Sequence, residues 1–489
     1  MNYKKLLSAG TVLGVTLGAL LTGQAFAKCD PDYSGVTLNV GSQTGPFIAS
    51  ALQAAAKTWT EKTCGQVKVI EFPFGELYPK YVTALQAGEK SFDIMTFPPA
   101  WTPDLAPFLD EMPAAMRQTD DWKDIHPNYR ERLMVWDGKT MTQSIDGDLH
   151  NLSYRIDLFD DPKEKEAFKA KYGYDLAVPK TWPQYYDIAE FFTRPDKGLY
   201  GTVEPFRRGG QQFWFFFTHV ASYANDPKDP GAMFFDPETM DAEVNNPGWV
   251  KALDDYIRSA KYSPAGALNY GYGDVNTAFA GGQAAMALGW GDTGVIAADK
   301  KQSKIAGNVG SAMTPASDQL YNPKTKQWDK FDQPVPTPFM AFGGWQAGIS
   351  ANGDHKDAAW NFIEWVSNPE NSGEAVVTGG SGVNPYRYSH MKDLKRWETI
   401  FTEREAKEYL ASQLDSLDAK NVAYDMRLPG YFSYTEILEI ELGKALNNDE
   451  TAQQALDNVA QQWNKLTDEL GRDKQLAAYR DSMGLPAKK

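Results

Sequence analysis

The chain is 489 residues long, with 49 Lys and Arg against 64 Asp and Glu for a formal charge of -15, and 42% of it is hydrophobic. That much apolar material supports large packed cores and excludes a disordered or fibrous chain. The acidic balance argues against a protein that neutralises nucleic-acid phosphates or docks on anionic lipid through basic patches, so no nucleic-acid partner is expected.

At the N-terminus Lys4 and Lys5 precede an apolar stretch, Val12 to Leu21, and Ala25 and Ala27 flank a cleavage point. This is the pattern of an export signal over residues 1–27, with the mature chain starting near Lys28. The apolar run falls short of the roughly 17 to 25 residues that span a bilayer, and Lys28 breaks a lipoprotein-type approach to Cys29. A soluble exported protein is expected. The two cysteines, Cys29 and Cys64, are expected to pair in an oxidising compartment, closing a loop worth roughly 4 kcal/mol on the chain-entropy model. Two buried free thiols are the other reading, and no CxxC or nearby histidine makes either cysteine catalytic or metal-binding.

Strand and helix signals then alternate. Thr37 to Val40 is a strand, the loop Gln43 to Gly45 follows, and Ile48, Leu52, Ala55 and Trp59 recur at helical spacing. Val67 to Phe72, Tyr78 to Ala87 and Phe92 to Phe97 continue the series as strand, helix and strand. The βαβαβ order predicts a parallel sheet covered by helices, with ligands beyond the carboxyl ends of its strands, near Gln43 to Gly45, Phe74 to Glu76 and Phe97 to Trp101. An extended stretch from Thr140 to Tyr154 is broken at Asp146-Gly147-Asp148. Trp182 to Phe192 reads as helix, and the aromatic run after Gly209-Gly210 as core of a second lobe. Helical periodicity returns at Val275 to Met286 and Ala359 to Val366, and a Thr451-x-x-Gln454 capping box opens a final amphipathic helix.

Enzyme signatures are scarce: the chain carries no GxSxG, no phosphate-binding glycine loop and no HExxH. Its five histidines show no metal-ligand spacing, so neither metal nor cofactor is expected. Aromatic residues are abundant, 25 Phe, 24 Tyr and 14 Trp. Flat rings suit the C–H face of a sugar, and carboxylates, amides and arginines suit its rim of hydroxyls.

Several segments in this order resemble the bacterial extracellular solute-binding proteins of ABC importers, the sugar-binding family that includes maltose-binding protein. They are TLNVGSQTGPF, FDIMTFPPAW, DGKTMTQSIDGDLHNLSYRIDLF, AFAGGQAAMALGWGDTG and GGWQAGISANGDHKDAAWNFIEWVSNPEN. The resemblance implies two α/β lobes of discontinuous segments, hinged around a central cleft that closes on a sugar and is then recognised by a membrane permease. It places the crossings near Gly147, Trp345 and Asp425, giving one lobe as 28–147 plus 346–425 and the other as 148–345 plus 426–489. A periplasmic monomer is expected.

Carried over by position, Asp148 is a cleft carboxylate on the first crossing, Gln43 and Thr44 are polar residues after the first strand, and Trp290 is an aromatic platform with Asp292 beside it. Trp345 and Tyr431 match further aromatic positions. Phe97 and Trp101, Glu76, Arg387, and Gln211 with Arg207 complete the expected ligand-binding set. Two alternatives stand beside the sugar: the same fold binding a polyol or glycerol phosphodiester, and an exported carbohydrate-active enzyme whose paired carboxylates would be Asp146 and Asp148, or Asp274 and Asp292.

Overall fold

A computed structural model describes residues 29–488, so the expected export signal at 1–27 lies outside the described residues. The βαβαβ opening forms as expected: strands Gln66–Phe72, Thr37–Gln43 and Ile94–Phe97 lie side by side and parallel, with helices Ala49–Thr63 and Phe74–Gln86 as the crossovers. Strand Gln346–Ile349 adds antiparallel to Ile94–Phe97, in register Gln346 with Phe97, and Gln143–Ser144 closes that side. Leu38, Val40, Ile94 and Ala347 are buried within this sheet. Trp59 anchors the first helix through an indole N–H donated to Asn361 at 2.9 Å. Cys29 and Cys64 are disulfide-bonded, pinning the chain before the first strand to the end of that helix.

A second sheet is smaller. His150–Arg155 is its centre, flanked antiparallel by Met286–Trp290 and Val309–Met313. The aromatic run after Gly209-Gly210 is helix Gln212–Ala224, every residue of which is buried. The periodicity read from Val275 to Met286 as one helix is two elements. Helix Tyr272–Ala280 ends at a Gly281-Gly282 turn, where Gly282 has φ +77°, and Met286 opens a strand. A Thr451–Gln454 capping box starts helix Ala452–Leu470 as the sequence predicts.

The chain crosses between the sheets at residues 145–149 and returns near 341–345. The two crossings pass in contact, since a Cβ on Gly344 would stand 2.1 Å from the Asp146 carbonyl oxygen, and the first also lies against the loop at Pro385, whose carbonyl oxygen would stand 2.4 Å from a Cβ on Gly147. Only glycine allows that approach. Helix Glu403–Leu417, which the lobe division read from the sequence gives to the first lobe, lies on the second sheet. Glu405 accepts the Val309 N–H at 2.7 Å, Asn151 donates to Ser412 at 3.0 Å and Tyr154 donates to Glu408 at 2.7 Å. Among the described residues no helix is long and apolar enough to cross a membrane.

Candidate binding cleft

Two neighbouring cavities lie in the gap between the lobes. The first, about 220 Å³, brings together Gln43 from the end of the first strand, Asp148 from the first crossing and Trp345 from the second. The second lobe supplies Gln211, Trp290 and Asp292 to the same cavity, with Arg207 at its edge. Seven of the expected residues, drawn from five separate stretches of the chain, therefore line one cavity.

The polar lining includes two acids, Asp148 and Asp292, and Asp146 stands two residues before the first of them. Asp146 fastens the crossing itself, accepting backbone N–H groups from Gly147 at 2.7 Å, Asn384 at 2.6 Å and Trp345 at 3.2 Å. Asp148, next to it, accepts from the Asn384 side-chain amide at 2.5 Å. Asp292 sits in the first turn of helix Gly291–Ala298 and accepts the Tyr272 hydroxyl. Among the described residues no Lys, Arg or His is paired with any of these three. Burial, which disfavours the charged form, raises Asp292 to about 7 and lifts Asp148 well above the usual carboxylate range, with Asp146 adding repulsion to both. Asp274, the other nominated acid, caps its own helix by accepting the Gly271 N–H at 2.9 Å and pairs with Arg207 at 3.6 Å.

Trp290 is held on three sides. His150 lies under it with ring centroids 4.0 Å apart, Phe215 meets it edge-on at 5.5 Å, and its N–H is donated to Gln211 Oε1 at 2.8 Å. Gln211 itself stands at φ +76°, a left-handed conformation that costs a side-chain-bearing residue of order 1–3 kcal/mol and is kept where a site is assembled. Sequence reasoning missed four more lining residues: Phe47, Phe74, Tyr272 and Phe342. Phe74 was within reach of it, since the loop was singled out and the wrong residue taken. Phe342 has φ +56° and precedes two glycines in the same region, a backbone feature the sequence marks only as Gly343-Gly344.

Trp101 and Tyr431 line the second cavity, about 570 Å³, with Phe213, Trp214 and Phe432. Four expected residues are elsewhere. Thr44 is exposed, its N–H donated to the Phe72 carbonyl at 2.7 Å, and it lines neither cavity. Glu76 follows Phe74 by two residues, some 200° around the helix, and so faces the outer surface beside Pro79 and Lys80. Phe97 is fully buried core beneath Gly348, because alternation along its strand turns it inward. Arg387 is 1% exposed; it donates to the Asp121 and Ser367 carbonyls and lies 3.6 Å from Asp124, which ties together parts of the first lobe.

Residues 48–372 match the family model described as bacterial extracellular solute-binding protein. The chain belongs to that family. Among curated members of it or its relatives, the chain is 24% identical over 391 residues to a probable amino-acid ABC transporter periplasmic-binding protein of Sinorhizobium fredii, covering 79% of this chain and 81% of that one. It is 24% identical over 376 residues to an erythritol/L-threitol-binding protein of Mycolicibacterium smegmatis, covering 73% and 71%. Solved structures share the fold of this solute-binding protein. Maltose-bound MalE3 of T. maritima superposes with a TM-score of 0.70 at 22% identity, over 88% of this chain and all of that one. A ribitol-bound solute-binding protein of Agrobacterium radiobacter gives 0.70 at 23%, over 89% of this chain and all of that one.

Proposed function

We propose that this chain is the solute-binding component of an ABC importer, exported to the periplasm, that captures a sugar or polyol in the interlobe cleft and delivers it to a membrane permease. The observation carrying this reading is the first cavity: aromatic faces from both lobes, Phe74 on one and Trp290 on the other, enclose buried carboxyls that can grip hydroxyls. Three of the proteins this chain resembles are named for or bound to erythritol or L-threitol, maltose and ribitol, which are of that chemistry, and one is named as a probable amino-acid binder. The lobes are then 28–147 with 346–402, and 148–345 with 403–489, the third crossing falling before helix Glu403–Leu417.

Micromolar affinity needs about -8 kcal/mol. Stacking contributes roughly 0.5–1.5 kcal/mol per ring pair and a hydrogen bond to a charged group about 1.5–3, against an association cost of at least about 4. One lobe alone falls short, so ligand-driven closure of both is part of the reading. A thermal-shift panel of four- to six-carbon polyols, mono- and disaccharides, glycerophosphodiesters and amino acids, followed by calorimetry, tests it. One-to-one binding of a sugar or polyol without turnover is expected; stabilisation by amino acids or phosphodiesters alone, or release of new reducing ends, would overturn it.

A further inference from the structure

The second cavity has a different chemistry from the first. At about 570 Å³ it falls in the range of about 300–1,000 Å³ typical of ligand pockets, whereas the first, about 220 Å³, is smaller than that range. The two share Phe74, Gly209 and Gln211 in their walls and so adjoin one another.

Several polar groups that line the second cavity already have partners within the chain. The Tyr431 hydroxyl and the Trp214 indole N–H are both donated to Asp425, at 2.7 and 2.8 Å. Glu436 pairs with Arg208 at 3.3 Å, and Glu439 accepts the Gly209 N–H at 3.2 Å. Thr435 donates back to the Tyr431 carbonyl at 3.2 Å. The rest of its lining is largely aromatic: Phe74, Trp101, Phe213, Trp214, Tyr431 and Phe432. A second sugar ring would find few partners for its rim of hydroxyls there and would lose water in entering. A flat apolar group meets the aromatic faces at no such cost.

We propose that the second cavity is a subsite for a flat apolar substituent, and that the protein's preferred ligands are glycosides: a sugar or polyol head held among Asp148, Asp292 and Trp290, carrying an aromatic or similarly planar aglycone that lies against Trp101, Tyr431 and Phe432. This rests on the sugar-or-polyol reading above and specifies what is attached to that head.

The test is calorimetry on matched series: for each of glucose, galactose, mannose and xylose, the free sugar, the methyl glycoside, the phenyl and 4-nitrophenyl glycosides in both anomers, and a disaccharide. For the sugar recognised, an aryl glycoside is expected to bind at least tenfold tighter than the methyl glycoside, and the disaccharide to show no such gain. Phe432→Ala, at a side chain 41% exposed and so not needed for folding, is expected to bring the aryl-to-methyl affinity ratio down towards one. Sugars or methyl glycosides that bind as well as their aryl counterparts, or a disaccharide that binds best, would overturn the aglycone subsite and leave the parent reading standing. No binding by any member of the panel would remove both.

Discussion

Asp292 shows what burying an acid without a cation does to a binding site. Its carboxyl titrates near 3.8 in an unfolded chain and at about 7 in the folded one, because burial penalises the charged form. The folded chain therefore holds an extra proton between those values, and the stability this contributes is full below about pH 4 and lost as the pH rises through 7. An Asp292→Asn variant keeps the neutral form at every pH. Its ligand-free stability is expected to stay close to the wild type's below about pH 4 and to exceed it by a margin that grows through pH 5 and 6 to at most on the order of 4 kcal/mol at pH 8; a margin that does not change with pH would show that the carboxyl is not desolvated. A hydroxyl donated to Asp292 favours the carboxylate, so ligand binding is expected to release protons near pH 7, read as a binding enthalpy that changes with the buffer's ionisation enthalpy. Trp290 belongs to the same scale. Trp290→Ala removes a face already braced by His150 and Gln211 and is expected to weaken sugar or polyol binding by at least about 1 kcal/mol, with an unchanged dissociation constant placing the ligand elsewhere.

Between residue and molecule, the decisive elements are the two crossings. Gly344 at φ +78° and Gly147 have no room for a side chain, since the backbones of residues 146 and 385 occupy the space a Cβ would need. Gly344→Ala adds a left-handed conformational penalty to a backbone clash that no rotamer relieves, and a loss of at least about 2 kcal/mol in denaturant unfolding is expected; a wild-type midpoint would mean that the crossings separate freely. How legible such elements are follows from their physics. The βαβαβ opening was readable because its periodicities are local, and the capping box at Thr451 because a cap is written in four residues. The fate of helix Glu403–Leu417 was not, since an amphipathic face says that a helix packs and not on which sheet. The same limit explains the site. Asp148, Trp290, Asp292 and Trp345 lie at element ends whose order resembles the family, so position carried them. Glu76 and Phe97 failed because one or two residues of rotation or alternation reverses a side chain's direction, which a loop assignment does not resolve. Tyr272 and Phe342 reach the cleft through tertiary placement alone.

At the scale of the whole molecule, contacts between the lobes span the gap beside the cleft. On the first lobe, Asp104 accepts the Tyr78 hydroxyl at 2.9 Å and the Gly430 N–H, at the start of helix Tyr431–Leu446 on the second, at 3.2 Å. Beside that bridge Tyr78 stacks on Phe432 with the rings 5.9 Å apart and 4° from parallel, and Phe74 meets Trp214 edge-on at 6.0 Å. A hinge that opens would break all three, and each would then bias a two-state equilibrium towards the closed form, with a ligand bridging the lobes adding to that bias. Asp104→Ala removes the bridge without touching either cavity's lining. A hydrogen bond to a charged or partly charged acceptor is worth about 1.5–3 kcal/mol, so the ligand-free variant is expected to scatter X-rays at small angles as a more extended particle than the wild type. Its ligand affinity should fall roughly tenfold or more, by the fraction of closed molecules lost, while the compact, saturated form of the two proteins is the same. A variant that is already as compact as the wild type without ligand, or a wild type that does not contract on saturation, would mean that the cleft is rigid and that affinity is set by the cavity walls alone.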